Sequence, residues 1–247
     1  MITIKTSEEI RIMAEGGKIL ADITRKLKDE VRPGITTQKL NKLAEELIFK
    51  SKNKPAFLGY NDFPATLCTS VNEVIVHQIP SNYQLKEGDI LSLDIGLIHQ
   101  GYYSDMAITV PVGEISTETS RLLRATKKSL NIAIKKARPG NTLGDVGNTI
   151  ERYLTKRGFG IVKEMCGHGI GRDLHEDPEV LNYGKRHKGL GLKEGMVICI
   201  EPMATIGSGK IKKASDGYGL QTIDGSLSAH FEHMIAITSN GSCILTE

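Results

Sequence analysis

Four acidic residues stand beside apolar runs, where a folded chain would bury them. Asp94 and Glu201 each close such a run, while Asp105 and Glu232 each come shortly before one. Burying four negative charges without compensation would be prohibitive. Two divalent cations would supply four positive charges and cancel them. The sequence therefore predicts a dinuclear metal site at these carboxylates.

Two histidines, His168 and His175, lie in a glycine-rich segment, where backbone can approach a site closely. His77 follows a short apolar run and is a third candidate. Carboxylate oxygens with an added imidazole favour Mn²⁺, Fe²⁺, Co²⁺ or Zn²⁺ over a copper or iron–sulfur site. Cys166 and Cys199 flank the candidate ligands without zinc-finger spacing, so we expect them to pack in the interior. The other histidines lack this context and are interpreted as structural or surface residues: His99, His187, His230 and His233.

The segment 89–112 has the pattern of a β-hairpin. With the turn centred on His99 and Gln100, Asp94 lies directly opposite Asp105, with Cβ atoms about 4.5–5.5 Å apart. Like charges so placed are destabilising unless a cation lies between them. For this hairpin alone, two unrelated surface acids are an equal alternative. The two acids at matching places farther along the chain favour the cation.

Two short sequence patterns each occur twice, in the same order. Residues 32–36 (RPGIT) match residues 138–142 (RPGNT), and residues 85–88 (LKEG) recur unchanged as residues 192–195. The two separations, 106 and 107 residues, agree. Chance could produce one such match, but two at agreeing separations predict two equivalent halves.

Helix signals occupy equivalent places in these halves. Thr6 opens the first helix with a capping box. A Pro-Gly turn precedes the second helix of each half, whose N-cap is Thr36 or Thr37 in one half and Thr142 in the other. A further helix is predicted over roughly 117–137, and strands follow the helices in each half.

This order predicts an α+β fold, with helices packed on one face of an antiparallel sheet. The halves, about 1–113 and 114–247, are expected to form a single catalytic domain over residues 1–247. The net charge of only +3 gives no electrostatic reason to expect a nucleic-acid partner. We expect neither a signal peptide nor a membrane span, because the N-terminus lacks the signal-peptide pattern and nowhere do roughly 18 apolar residues run together. The four cysteines show no CxxC pairing, so a soluble protein of a reducing cytoplasm is expected.

Five motifs in combination resemble the bacterial type I methionine aminopeptidases, a family of pita-bread metallopeptidases. The motifs are residues 72–77 (NEVIVH), the hairpin with Asp94 and Asp105, residues 167–171 (GHGIG), residues 200–203 (IEPM) and residues 231–233 (FEH). The resemblance covers nearly the whole chain. It implies the pita-bread fold and removal of the N-terminal methionine from nascent proteins whose second residue is small.

The resemblance also implies roles for the candidate ligands. Asp94 would chelate one ion, and Asp105 and Glu232 would bridge both. His168 and Glu201 would complete the other ion, each ion being Co²⁺, Mn²⁺, Fe²⁺ or Zn²⁺. A water bridging the two ions would become hydroxide and attack the scissile carbonyl.

Further roles follow from the same resemblance. Glu201 would accept the proton of the water, His175 would stabilise the tetrahedral intermediate, and His77 would contact the scissile amide and donate to the leaving amine. The implied partners are the N-termini of nascent polypeptides, bound at the ribosome. The protein is expected to be a monomer with no nucleic-acid or membrane partner. The implied methionine pocket consists of Tyr60, Phe63, Cys68 and Tyr218. An implied monovalent-cation site consists of Asn72, Val74 and Ser228.

The pocket departs from the family at three positions. Leu174 stands where Phe is usual, Tyr218 where Trp is usual, and Phe57 where a smaller residue is common. These departures are expected to affect substrate binding and rate.

Three other functions share features with this sequence. A proline-specific peptidase of the same fold normally has a longer N-terminal domain, for which this chain has no room. A non-catalytic pita-bread module would have lost metal ligands, whereas all five are present. A dinuclear phosphoesterase usually relies on more histidine ligands.

Overall fold

The computed structural model describes residues 2–247 and contains, within them, four α-helices and fifteen strands. The helices are α1 (Ser7–Glu30), α2 (Thr37–Lys50), α3 (Thr117–Ile134) and α4 (Leu143–Thr155). The strands are β1 (Lys54–Pro55), β2 (Leu67–Val71), β3 (Val74–Val76), β4 (Ile90–His99), β5 (Tyr102–Pro111), β6 (Gly160–Ile161), β7 (Cys166–Gly169), β8 (Glu176–Leu181), β9 (Val197–Ile200), β10 (Met203–Thr205), β11 (Ile211–Lys213), β12 (Leu220–Thr222), β13 (Ser228–His230), β14 (Glu232–Thr238) and β15 (Gly241–Ile244).

The largest sheet among residues 2–247 has nine strands and is antiparallel. Its main path runs β1-β4-β5-β14-β9-β7-β8, with β2 paired to β4 and β15 paired to β14. Strands from the two halves of the sequence meet where β5 pairs with β14, with Glu232 opposite Ala107 and His233 opposite Met106. This seam lies at the middle of the sheet and sets the position of the candidate site.

The helices pack their apolar faces against this sheet. In the first half, Leu20 of α1 and Leu40 of α2 share a core with Leu91 of β4. In the second half, Leu122 of α3 packs in an equivalent cluster with Ile198 of β9. Full burial of one such side chain is worth about 1.5–3 kcal/mol, so these clusters hold the helices on the sheet. The predicted α+β arrangement is confirmed.

The duplicated sequence patterns occupy equivalent places in the fold. Gly34 and Gly140 both have a φ of 87°, a left-handed conformation that favours glycine. The next threonines, Thr36 and Thr142, are the N-caps of α2 and α4 and each accepts a hydrogen bond from the backbone N–H three residues later. Each threonine also forms an isolated antiparallel bridge, to Gln84 or to Gly191. The two predicted halves are therefore present in the structure.

The β4–β5 hairpin does not have the predicted register. Its turn is centred on Gln100 and Gly101, whose φ values of 49° and 82° suit a two-residue type I′ turn. As a result, Asp105 pairs with Gly96 and not with Asp94. The prediction that the two aspartates lie directly opposite one another is wrong. They are diagonal neighbours on one face of the sheet, within reach of a shared ligand.

The helix ends largely follow the sequence signals. Thr6 and Glu9 form the predicted capping box at the start of α1. The predicted helix over 117–137 is shorter, because α3 ends at Ile134. Among residues 2–247, no helix has both the length and the apolar character needed to cross a membrane.

Candidate metal centre

The predicted carboxylates converge at the seam between the two halves. Carboxylate oxygens of Asp94, Asp105 and Glu232 all lie within 4.8 Å of one another. The first two acids lie on β4 and β5, and Glu232 begins β14. Glu201 follows directly after β9, which pairs with β14. The antiparallel pairings thus bring one pair of acids from each half to one place.

These carboxylates are buried with too few hydrogen-bond partners. Oδ1 of Asp105 and Oε1 of Glu232 have no partner among the described residues. Burial raises the pKa of Asp94 to about 6. Burial and then the neighbouring carboxylates raise the pKa values of Asp105 and Glu232 well above their usual range. Buried, unpartnered and mutually repelling oxygens of this kind fit a site for hard divalent cations.

His168 brings an imidazole to the same carboxylates. It lies in the short strand β7, although its glycine-rich surroundings suggested a loop. Nδ1 lies 2.9 Å from the carbonyl oxygen of Gly169, so a proton on Nδ1 leaves Nε2 free to bind a metal. Burial and then the nearby His175 lower the pKa of His168 to about 4, which keeps the ring neutral as a ligand must be.

Glu201 faces two imidazoles. Its carboxylate oxygens lie 3.8 Å from Nε2 of His168 and 3.3 Å from Nε2 of His230. Burial and then the charge of Asp94 raise the pKa of Glu201 well above its usual range. The predicted ligands of both halves are therefore in one cluster, with Glu201 on its His168 side.

His230, interpreted as a structural or surface residue, is buried beside Glu201. Its Nδ1 has no hydrogen-bond partner among residues 2–247, and its Nε2 is the atom that faces the Glu201 carboxylate. A signal was available, because His230 stands two residues before Glu232 and alternate residues of an extended chain share a face. The other three are as interpreted: His99 and His233 bond to neighbouring side chains, and His187 is exposed.

A cavity of about 190 Å³ opens over the carboxylates. Its lining contains all the predicted metal, catalytic and methionine-pocket residues together with the three positions that depart from the family pattern. They are Phe57, Tyr60, Phe63, Cys68, His77, Asp94, Asp105, His168, Leu174, His175, Glu201, Tyr218 and Glu232, with Asn61 in addition.

Two histidines line the cavity beside the carboxylate cluster. The Tyr60 hydroxyl and Nδ1 of His175 are hydrogen-bonded at 2.7 Å, and with the hydroxyl as donor the ring proton of His175 lies on Nε2. The His175 ring packs edge-on against that of His168, with centroids 4.4 Å apart. His77 has a left-handed φ of 63°, and burial followed by the neighbouring histidines lowers its pKa to about 4. Both side chains are available as neutral donors.

The opposite part of the lining is apolar. The rings of Phe63 and Tyr218 meet edge to face with centroids 5.7 Å apart, and the Tyr218 hydroxyl donates to the backbone oxygen of Asp62 at 3.0 Å. Leu174 and Phe57 are buried beside them. The cavity therefore has a polar floor and an apolar side.

The remaining predicted residues are also placed by the structure. The Ser228 hydroxyl lies 3.0 Å and 3.1 Å from the backbone oxygens of Asn72 and Val74, so the three residues of the implied monovalent-cation site are neighbours. Cys199 is buried as expected, whereas Cys166 is only partly buried because it lies at the start of the short strand β7.

Metal removal is expected to destabilise the protein more as the pH rises. The folded-state pKa of Asp94 is about 6, above its ordinary value near 4, so the metal-free fold loses stability as the pH rises between these values. The interval from pH 5 to pH 6 covers about one unit of this shift, which corresponds to about 1.4 kcal/mol, or roughly 3–6 °C in Tm. Calorimetry at pH 5 and pH 7.5 measures the Tm difference between metal-loaded and metal-free protein. A difference that did not grow with pH would contradict four converging carboxylates.

Comparison with known proteins decides the family. The sequence model of metallopeptidase family M24 matches residues 11–239 of this chain. The chain belongs to metallopeptidase family M24. It is 47% identical to a methionine aminopeptidase of Clostridium perfringens, over 100% of this chain and 99% of the relative.

Solved structures agree with this membership. The crystal structure of a methionine aminopeptidase from Thermotoga maritima has a TM-score of 0.98 at 43% identity and covers 100% of both chains. A prolidase structure from Pyrococcus horikoshii has a TM-score of 0.80 at 25% identity and covers 99% of this chain but 63% of the prolidase. The resemblance found in the sequence, the pita-bread fold and the classification as a metal-dependent hydrolase are confirmed.

Proposed function

We propose that the chain is a methionine aminopeptidase that removes the N-terminal methionine from nascent proteins with a small second residue. The observation that carries this proposal is the cavity in which the M24 carboxylate cluster, two neutral histidines and an apolar wall lie together. The methionine aminopeptidases of Clostridium perfringens and Thermotoga maritima match the chain over its full length. We further propose a single catalytic domain, acting as a monomer in the cytoplasm and meeting its substrates at the ribosome.

The donor set fits two divalent cations, Co²⁺, Mn²⁺, Fe²⁺ or Zn²⁺. Asp94, Asp105 and Glu232 would hold one ion, and Asp105, His168, Glu201 and Glu232 the other, with the residues common to both sets bridging. When bound, such ions make a water acidic and polarise a peptide carbonyl.

The remaining chemistry belongs to side chains of the cavity. Glu201 accepts a proton from the attacking water. His175 donates from Nε2 to the oxygen of the tetrahedral intermediate when the Tyr60 hydroxyl donates to its Nδ1. His77 contacts the scissile amide and donates to the leaving amine. We also propose a monovalent cation held near Asn72, Val74 and Ser228.

The apolar side of the cavity determines which N-terminal side chain of a substrate can bind. A thioether side chain is flexible and apolar, so it fits a slot lined by Tyr60, Phe63 and Cys68. Peptides that begin Met-Ala are expected to be cleaved well, and peptides that begin Leu-Ala or Lys-Ala poorly. Rates measured on matched tripeptides check this. Equal cleavage of Met-Ala and Leu-Ala peptides would mean that Leu174 and Tyr218 have widened the slot and that the methionine assignment is too narrow.

The same assay separates the alternative functions. A proline-specific peptidase would prefer a dipeptide with proline in second place, and a phosphoesterase would hydrolyse a phosphate ester. A non-catalytic module would cleave none of them. We expect cleavage of Met-Ala-Ser alone.

A further inference from the structure

Cys199 lies among the predicted metal ligands, although it belongs to none of the roles described above. It is buried in strand β9. Its Sγ atom, a ring nitrogen of His168 and a carboxylate oxygen of Glu232 all lie within 4.8 Å of one another. An ion between three such atoms needs only small side-chain movements to reach bonding distances of about 2.0–2.3 Å.

The strand register explains why the thiol faces this site. Cys199 is paired with Met234 across β9 and β14. Alternate residues of a strand share a face, so Cys199 points to the side of Glu201 and Met234 points to the side of Glu232. The thiol therefore lies on the same face of the sheet as both carboxylates, two residues along the strand direction from Glu201.

The other two members of the group each have a free ligand atom. Nδ1 of His168 is occupied by the Gly169 carbonyl, which leaves Nε2. Oε1 of Glu232 is buried and has no hydrogen-bond partner among the described residues. These two free ligand atoms fit a divalent cation, and the Cys199 thiol lies in hydrogen-bonding contact with the same Glu232 carboxylate.

We propose that Sγ of Cys199 is a direct ligand of the ion held by His168 and Glu232. The inference rests on the proposed metal-dependent function and adds a thiolate to its ligands. Binding releases the thiol proton to solvent, since only the thiolate ligates. A soft thiolate favours Zn²⁺ and Co²⁺ over the harder Mn²⁺ and Mg²⁺. Cys199 thus biases the choice of metal.

The test compares Cys199→Ser with Cys68→Ser. Both cysteines are buried near the cavity, but Cys68 does not belong to the group with His168 and Glu232. Each purified variant is stripped of metal and loaded with Co²⁺ or Zn²⁺. The readouts are the near-ultraviolet sulfur-to-cobalt charge-transfer band and zinc X-ray absorption, in which sulfur at about 2.3 Å is distinguished from nitrogen and oxygen at about 2.0–2.2 Å.

We expect the sulfur band and shell in wild type and in Cys68→Ser, and their loss in Cys199→Ser. Competition titrations should show Zn²⁺ affinity falling about tenfold or more in Cys199→Ser, with a smaller change for Mn²⁺. A wild-type protein that binds Zn²⁺ through nitrogen and oxygen alone would overturn the thiolate assignment and leave the proposed function standing. A wild-type protein that binds no metal would overturn both. Circular dichroism of each variant establishes that the fold is kept.

Discussion

Glu232→Ala is expected to lose bound metal and peptidase activity together. Glu232 is the acid that belongs to both groups of converging donors, and one of its oxygens has no other partner among the described residues. Removing it should weaken both ion positions, by more than the roughly 10–100-fold that the loss of an outer hydrogen-bond partner costs. Elemental analysis and the Met-Ala-Ser assay on the same samples measure the two losses.

Two controls make this result interpretable. Glu194→Ala removes an exposed acid from the turn before β9 and should keep both metal and activity. Glu232→Gln keeps the volume of the side chain and removes its charge. Because it relieves the repulsion at the seam, its metal-free Tm should equal or exceed that of metal-free wild type. A Glu232→Ala protein that was folded, fully loaded and active would remove Glu232 from the metal site.

His175→Ala is expected to separate catalysis from metal binding. The His175 side chain contacts Tyr60 and lines the cavity, so its loss should leave the metal in place. Deletion of one donor to an oxyanion typically lowers kcat by about 10²–10³. The Michaelis constant should change less, because the lost interaction is made mainly in the transition state.

His168→Ala is the matched variant for this prediction. The two rings are in contact, yet only His168 belongs to a group of metal donors. Its replacement should weaken metal binding and shift the dependence of rate on added metal. Bound metal and kcat on folded samples of both variants decide the assignment. Loss of metal in His175→Ala with retention in His168→Ala would reverse the two roles.

Local signals in the sequence predict much of the fold. Thr6, Thr36 and Thr142 cap helices as expected, because a threonine side chain and the backbone N–H three residues later are enough to specify a helix start. The repeated patterns predict equivalent halves because a repeated turn and strand must repeat their geometry. Neither signal depends on distant contacts.

The site was harder to predict where it depends on register. The hairpin turn lies one residue later than predicted, at Gln100 and Gly101, which shifts the cross-strand partner of Asp105 by two residues, from Asp94 to Gly96. Because residues two apart on a strand share a face, Asp94 and Asp105 still lie on the same face of the sheet. Cys199 is brought to the site by the pairing of β9 with β14, and His230 lies on β13, which pairs with β10; no local pattern specifies either pairing. The sequence therefore predicts the four acids and His168, while the positions of His230 and Cys199 beside them become apparent only in the folded sheet.

Titration of metal-free protein with Co²⁺ is the most direct test of a dinuclear peptidase, with bound ions per chain and the rate of Met-Ala-Ser hydrolysis measured on the same samples. We predict no activity without metal and a rate that rises as the carboxylate site fills and is constant once two ions are bound. Hydrolysis of the peptide at an undiminished rate by protein shown to be metal-free would contradict the account.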